Sequence, residues 1–233
     1  VLAWTVIWTL VASALQVSLG IVLAVVVNQK EIRFKKFYRT VLVLPWAVPG
    51  FVTILIFAGL FNDSFGAINN DILALFGINA VPWMTDANWS RLALILMQGW
   101  LGFPYIFIVT TGVLQSIPDD LYEAATIDGA SVFAKFRHIT MPMILIAMAP
   151  IIITQFTFNF NNFNIIYLFN GGGPAVPGST AGGTDILVSW IYKLTMQSSQ
   201  YSLAAALTIL LSVFVIAIAL WQFRRTNSFK EGE

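Results

Sequence analysis

Cysteine is absent from this chain, and histidine occurs once, at His138. Without thiols there are no disulfides, no thiolate metal sites and no cysteine nucleophile. A lone imidazole does not build a metal site. Charge is scarce too: Asp, Glu, Lys and Arg make up 10% of 233 residues, against about a quarter in a soluble domain. Hydrophobic residues make up 58%, and the mean hydropathy is +0.81. So few charges cannot cover a water-facing surface, and the solvent of this chain is therefore lipid. The formal net charge is +1, which leaves no electrostatic footprint for nucleic acid. No GxxxxGK[ST] phosphate loop occurs, so nucleotide hydrolysis is not expected of these residues. Val1 already lies inside an apolar run, without an initiator Met or a basic leader. That is not a signal-peptide pattern, and it predicts a fragment of a longer protein.

Apolar runs dominate what is present. A spanning helix needs about 20 mostly apolar residues, and five stretches qualify: 2–27, 41–61, 92–117, 143–169 and 203–223. None holds Asp, Glu, Lys or Arg. The expected fold is all-α, a polytopic transmembrane helical bundle. Pro45, Pro49, Pro104 and Pro150 lie inside these stretches and predict kinks and discontinuous helices. Loop charge sets the topology. Loop 28–39 holds Lys30, Arg33, Lys35, Lys36 and Arg39 against Glu31, a net +4, and is expected in the cytoplasm. Loop 62–89 holds Asp63, Asp71 and Asp86 with no cation, a net −3, and is expected outside. Alternation then puts 118–138 and the tail 224–233 inside, and 170–200 outside. Segment 69–84 reads as a short interfacial helix with an aromatic anchor, and the glycines of 170–200 as a mobile loop. Trp4, Trp8, Trp46, Trp89, Trp100 and Trp221 read as interfacial anchors. Lys35, Lys36 and Arg39 read as topology determinants, His138 as a solvated loop residue, and Gln16 as glue between helices.

One polar island interrupts this pattern. Residues 118–138 carry Asp119, Asp120, Glu123 and Asp128 against Lys135 and Arg137, a net −2 that resists the cytoplasmic bias. Pro118 and the acids after it suit a helix start. Glu123-Ala124-Ala125 sets a charge beside two small residues that let another surface approach. Gly129 is a natural helix stop, and Val132, Phe133 and Phe136 supply a second short apolar face. The shape predicted is two short helices lying on the membrane surface, offered to a soluble partner.

Within the spans, polar side chains are costly and are functional candidates by default. Gln155, Asn159 and Asn162 stand at i, i+4 and i+7, which predicts one shared helix face with Phe158 close by. Amides pair with sugar hydroxyls, and an aromatic ring offers a flat face to a pyranose. Asn161 and Asn164 fall on another face and read as glue.

The spacing Glu123-Ala124-Ala125, Gly129, Ile139-Thr140-Met141-Pro142 resembles the EAA signature of permease subunits of type I ABC importers, with Met141 in place of the usual Leu. Trp46-Ala47-Val48-Pro49, Leu101-Gly102-Phe103-Pro104-Tyr105, Phe158-Asn159-Phe160-Asn161-Asn162-Phe163 and Asn170-Gly171-Gly172-Gly173-Pro174 are similar to the larger permease subunit of maltose/maltodextrin importers. The likeness covers nearly the whole chain. That family has six core spans, which implies at least one more upstream. The resemblance implies a coupling role for Asp120, Glu123, Ala124, Ala125 and Gly129, docked on an ATPase homodimer that uses ATP and Mg. It implies sugar contacts at Leu101, Gly102, Tyr105, Phe158, Asn159 and Asn162, with Gly102 and Pro104 breaking their helix beside the cavity. No cofactor or metal is implied for this chain. Implied partners are a second, homologous permease subunit, an extracellular or periplasmic sugar-binding protein and membrane lipid. The implied activity is ATP-driven import of maltose or maltodextrins by alternating access, with another oligosaccharide or polyol as the alternative substrate. The implied location is the bacterial plasma (inner) membrane, multi-pass, with the C-terminus in the cytoplasm. Two other classes fare worse. An ion-coupled secondary transporter would want an acid or a Na⁺ site within a span. An intramembrane enzyme would want an acid, Cys or His there.

Overall fold

Uncharged runs become long helices because in lipid every backbone polar group must find its partner within the segment. The computed structural model describes residues 1–29 and 31–225, without the side chains of Ile218, Ala219 and 221–225. Its helices are α1 (Leu2–Asn28), α2 (Lys35–Ala47), α3 (Gly50–Leu60), α4 (Ala87–Ser116), α5 (Asp119–Ile127), α6 (Val132–Lys135), α7 (Met141–Phe160), α8 (Phe163–Asn170), α9 (Leu187–Met196) and α10 (Tyr201–Arg225). A π-helical turn, Phe136–Thr140, joins α6 to α7 without a break.

Among the described residues, three helical stretches are long and apolar enough to cross a membrane: Leu2–Asn28, Ala87–Ser116 and Val132–Phe160. The expected span 41–61 is instead a broken pair, α2 and α3, bent by 88°. Pro49 disfavours helical geometry at Val48, which is extended at φ −94, ψ 134, and so ends α2. Counting that pair as one gives four spans. The fifth expected span, 203–223, lies within α10 (Tyr201–Arg225), of which Tyr201–Ala217 is the described apolar part. The span 143–169 is also corrected: α7 stops at Phe160, and α8 begins after Asn161 and Asn162. The tail from 226 and the side chain of Trp221 lie outside the described residues, as does Lys30.

Helices α1 and α4 form the spine, and glycine lets them touch. A Cβ on Gly20 would overlap Ile106, and one on Gly102 would overlap the Gln16 amide. Such close backbone approach is how apolar helices associate where no hydrophobic force separates them from lipid. Contrary to expectation, α4 runs unbroken through Gly102 and Pro104.

The apolar interior falls into two clusters along this spine. One gathers Trp8, Ala12, Ile54, Leu94, Met97, Ile165 and Ile186. The other gathers Ile21, Ala24, Phe103, Ile106, Phe107, Ile144 and Met148. Between them, on α1 and α4, stand Gln16 and Gln98.

Loop 28–39 and the island 118–138 share one end of the bundle, where Asn28, Gln29 and Glu31 face Asp119, Tyr122 and Glu123 across one cleft. The acidic loop 62–89 and the glycine-rich loop share the other end. There Arg91 Nε donates to the Gly183 carbonyl at 2.9 Å, and the Arg91 guanidinium stands 4.7 Å from the Trp4 ring centre. The glycine-rich segment is not the mobile loop expected. It contains α9, a cis Gly173–Pro174 bond and a buried ion pair, Lys193 to Asp185 at 2.6 Å. Asp185 also accepts from Ser189 Oγ (2.9 Å) and the Gly182 N–H (2.6 Å). Trp4 and Trp8, expected at the interface, are buried instead, and so is Trp83: the indole N–H of Trp4 donates to Thr184 O, that of Trp8 to Asn159 O, and that of Trp83 to Asn69 Oδ1. A buried indole needs such an acceptor, which is why these rings sit where they do.

A candidate solute cavity and a coupling surface

The break between α2 and α3 opens a cavity of about 730 Å³ against α4, α7 and α8. Pro45, Trp46, Val48, Pro49 and Gly50 form its first wall. Gln98, Leu101, Gly102 and Tyr105 of α4 form the second, one face of successive turns. Gln155 and Phe158 of α7, with Asn162 and Asn164 at the start of α8, complete it. No charged residue is among these lining residues. The rings of Trp46 and Tyr105 lie 5.5 Å apart, tilted by 40°, and form an aromatic corner.

Five of the six expected sugar-contacting residues, Leu101, Gly102, Tyr105, Phe158 and Asn162, meet in this lining. Asn159 does not. It is fully buried, donates from Nδ2 to Ser13 Oγ at 2.8 Å, and so ties α7 to α1. Its Oδ1 is buried without a partner. Gln155 and Asn159 both face α1, through Gln16 and Ser13, but Asn162 leaves that expected common face because the helix ends at Phe160 and Asn162 (φ −78, ψ 76) turns the chain. That turn aims Asn162 at the cavity and puts Asn164 beside it, where the sequence reading had placed only glue. Trp46, expected as an anchor, is likewise a cavity residue.

Four amides form a directed chain. Asn162 Nδ2 donates to Gln98 Oε1 (3.2 Å), Gln98 Nε2 to Gln16 Oε1 (3.0 Å), and Gln16 Nε2 to Gln155 Oε1 (2.9 Å). Gln16 thus is interhelical glue, as expected, joining α1, α4 and α7. Gln98 was legible as a polar residue in an uncharged span but was passed over. Trp46 and Asn164 carried no such signal, because their exposure depends on two helix breaks. Near Asn162, Phe163, Tyr167 and Tyr192 pack ring on ring at 4.9–5.0 Å. The Tyr192 hydroxyl is held above the usual phenol range, chiefly by its hydrogen bond with Tyr167.

At the other end, the island folds as two short helices, as expected. Asp120, Glu123 and Ala124 are exposed on α5, with Ala125 half-buried behind them. Gly129 ends α5 with φ +76, while the Ala130 N–H reaches back to Ala125 O at 2.8 Å. The left-handed turn is glycine's conformation. Tyr122 Oη and Thr140 Oγ1 pair at 2.9 Å and fasten α5 to the base of α7. Lys135 Nζ donates to Thr126 Oγ1 at 2.7 Å and holds α6 against α5. The turn between them presents Ile127, Val132 and Phe133, which are 87%, 82% and 69% exposed. These three large apolar side chains stand beside one another at the outer edge of the island.

Such an arrangement defines a polytopic helical membrane protein with an uncharged cavity among its helices and a pair of short helices fastened to the base of one span. The chain belongs to the family of binding-protein-dependent transport system inner membrane components, whose model matches residues 16–228. It is 87% identical over 231 residues, 99% of its length, to the galactooligosaccharides transport system permease protein GanP of Bacillus subtilis. It is 56% identical over 240 residues to the maltodextrin transport system permease protein MdxF of the same organism. The chain spans about half the length of these relatives, 55% of each. In fold it is similar to a solved bacterial ABC transporter involved in import of the acidic polysaccharide alginate, with TM-score 0.79 and 24% identity, covering 97% of this chain and 78% of that one. The resemblance carried by the island is borne out at the level of family.

Proposed function

We propose that this chain is the core of a permease subunit of an ATP-driven importer for neutral oligosaccharides in a bacterial inner membrane. The single observation that carries this reading is an uncharged cavity walled by amides and aromatic rings and bounded by two helix breaks. Amides supply both donors and acceptors for hydroxyls, and rings supply flat apolar faces. A charged solute would call for a counter-charge. Galactooligosaccharides are the first substrate class, on the strength of the 87% relative. Maltodextrins are the second reading, favoured by the motifs at 101–105 and 158–163 and by the 56% relative.

In this reading the chain performs no covalent chemistry and binds no cofactor. An ATPase pair, using ATP and Mg, docks on Asp120, Glu123, Ala124, Ala125, Gly129 and the apolar turn beside them. Its closure moves α5, and the Tyr122–Thr140 contact passes that movement to α7. A binding protein delivers sugar at the end carrying 62–89 and 170–200, and a second permease chain closes the translocation path. The tail lies on the cytoplasmic side. Sugar contacts fall to Leu101, Gly102, Tyr105, Phe158 and Asn162, joined by Gln98, Gln155 and Trp46.

The test is ATP-dependent uptake of labelled galactotriose and maltotriose by vesicles carrying the full-length complex, with and without its binding protein. Uptake of either sugar that needs both ATP and binding protein is the expected result, with galactotriose preferred. Uptake driven by an ion gradient and indifferent to ATP would overturn the reading.

A further inference from the structure

The amides of this chain share one sense, and one buried residue couples its two ends. Gln16 is fully buried and is absent from the cavity lining. Its single amide is held at both ends, accepting from Gln98 Nε2 at 3.0 Å and donating to Gln155 Oε1 at 2.9 Å. Gln98, only 3% exposed, in turn receives Asn162 Nδ2 at 3.2 Å. Each amide has one carbonyl and one NH₂, so turning one alone would set oxygen against oxygen and NH₂ against NH₂. The four therefore keep one sense together. With that sense, the Gln155 carbonyl is occupied and its NH₂ has no partner among the described residues. The Asn162 NH₂ is engaged and its carbonyl has none. Both residues line the cavity. Gly102, whose missing side chain leaves room for the Gln16 oxygen, closes the cradle from α4.

We propose that Gln16 is a positioning residue: it locks Gln155 and Asn162 into opposite senses toward the cavity, Gln155 a donor and Asn162 an acceptor as the chain stands here, and thereby selects how a bound polyol must point its hydroxyls. The inference rests on the reading of the cavity as a sugar site. A hydroxyl is both donor and acceptor, so a sugar meets this fixed pair by orienting one O–H toward Asn162 and one lone pair toward Gln155. Gln16 itself touches no solute.

The experiment uses Gln16→Met and Gln16→Glu in the full-length complex, with ATP-dependent uptake of labelled galactotriose and maltotriose as the readout. Methionine keeps length and volume but orients neither neighbour. Glutamate still accepts from Gln98, and at a pH high enough to ionise it in this buried position it offers only acceptors to Gln155, which must turn its NH₂ inward and its carbonyl toward the cavity. Both variants are expected to raise KM about tenfold, the weight of one well-made hydrogen bond, with kcat within about twofold of wild type. In Gln16→Glu the ratio of kcat/KM for the two sugars is also expected to shift, because the cavity now presents the opposite polarity at Gln155. A merely structural role would lower the amount of assembled complex and leave KM alone. Unchanged KM in both variants would overturn the proposal, and so would loss of assembly in both, which would make Gln16 a folding residue. If the wild-type complex imports neither sugar, it is the reading of the cavity that fails.

Discussion

Replacing Lys193 by Met is the sharpest test of how the glycine-rich end is held. The Asp185 carboxylate is wholly buried, and Lys193 Nζ lies 2.6 Å from its Oδ2. Removing the cation leaves a buried carboxylate without its counter-charge, a change that costs about 3–5 kcal/mol. Here the Gly182 N–H and the Ser189 hydroxyl remain as donors. Each such bond is worth roughly 0.5–1.5 kcal/mol, which puts the expected cost at the lower end, about 3 kcal/mol. The loss falls on segment 170–200, whose remaining anchors to the bundle include the Trp4 indole N–H to Thr184 O, the Leu187 N–H to Thr5 Oγ1 and Arg91 Nε to Gly183 O. At about 1.4 kcal/mol per factor of ten, the open population rises about a hundredfold. Native-state proteolysis of the assembled complex reads that population directly when opening is fast against cleavage. The expected result is cleavage within 170–200 about a hundred times faster, with most of the rise undone in Asp185→Asn/Lys193→Met, where no uncompensated charge is buried. Cleavage within about threefold of wild type in the single variant would refute the reasoning. A double variant worse than the single would do so equally.

Three further outcomes are expected. Gly129→Glu puts a side chain at φ +76, at a backbone cost of about 1 kcal/mol, and a charge on the docking turn; ATP hydrolysis should persist while uptake falls, and normal coupled uptake would remove the turn from the coupling role. Tyr105→Ala should raise KM for sugar about tenfold, consistent with the 0.5–1.5 kcal/mol of an aromatic contact, with assembly intact; unaltered kinetics would reduce Tyr105 to packing against Trp46. Asn159→Ala removes the bond to Ser13, so the melting temperature of the complex should drop by the equivalent of about 1 kcal/mol while KM holds; a raised KM would return Asn159 to the sugar contacts.

Much of this was legible because lipid imposes a coarse rule. Uncharged runs at 2–27 and 92–117 fold as α1 and α4 within a few residues of those bounds. The island was legible in more detail, since Pro118, Gly129 and the acids of the first turn act locally, through capping and backbone conformation. What escaped was set by tertiary geometry. Pro49 announced a break, but not an 88° bend that would make Trp46 and Val48 into a cavity wall. Periodicity put Asn159 and Asn162 on one face only for as long as the helix continued, and two asparagines end it. The Trp8 indole N–H then finds the Asn159 backbone carbonyl across α1 and α7, a pairing of residues 151 apart that no local pattern encodes. The glycines of 170–183 suggested slack. The buried Asp185–Lys193 pair beneath them was hidden, because a charge in a loop reads as solvated.

The division of the apolar interior into two clusters means that this chain does not respond to damage as one body. Trp8, Leu94 and Met97 pack in one half, Ile106, Phe107 and Met148 in the other, and only a thin polar layer at Gln16 and Gln98 lies between. Cavities carved in separate clusters share no neighbours, so their energetic penalties sum. Substitutions in the polar layer touch both halves and break that independence. Evolutionary drift in either half can thus proceed without renegotiating the other, while the waist tolerates change only in concert.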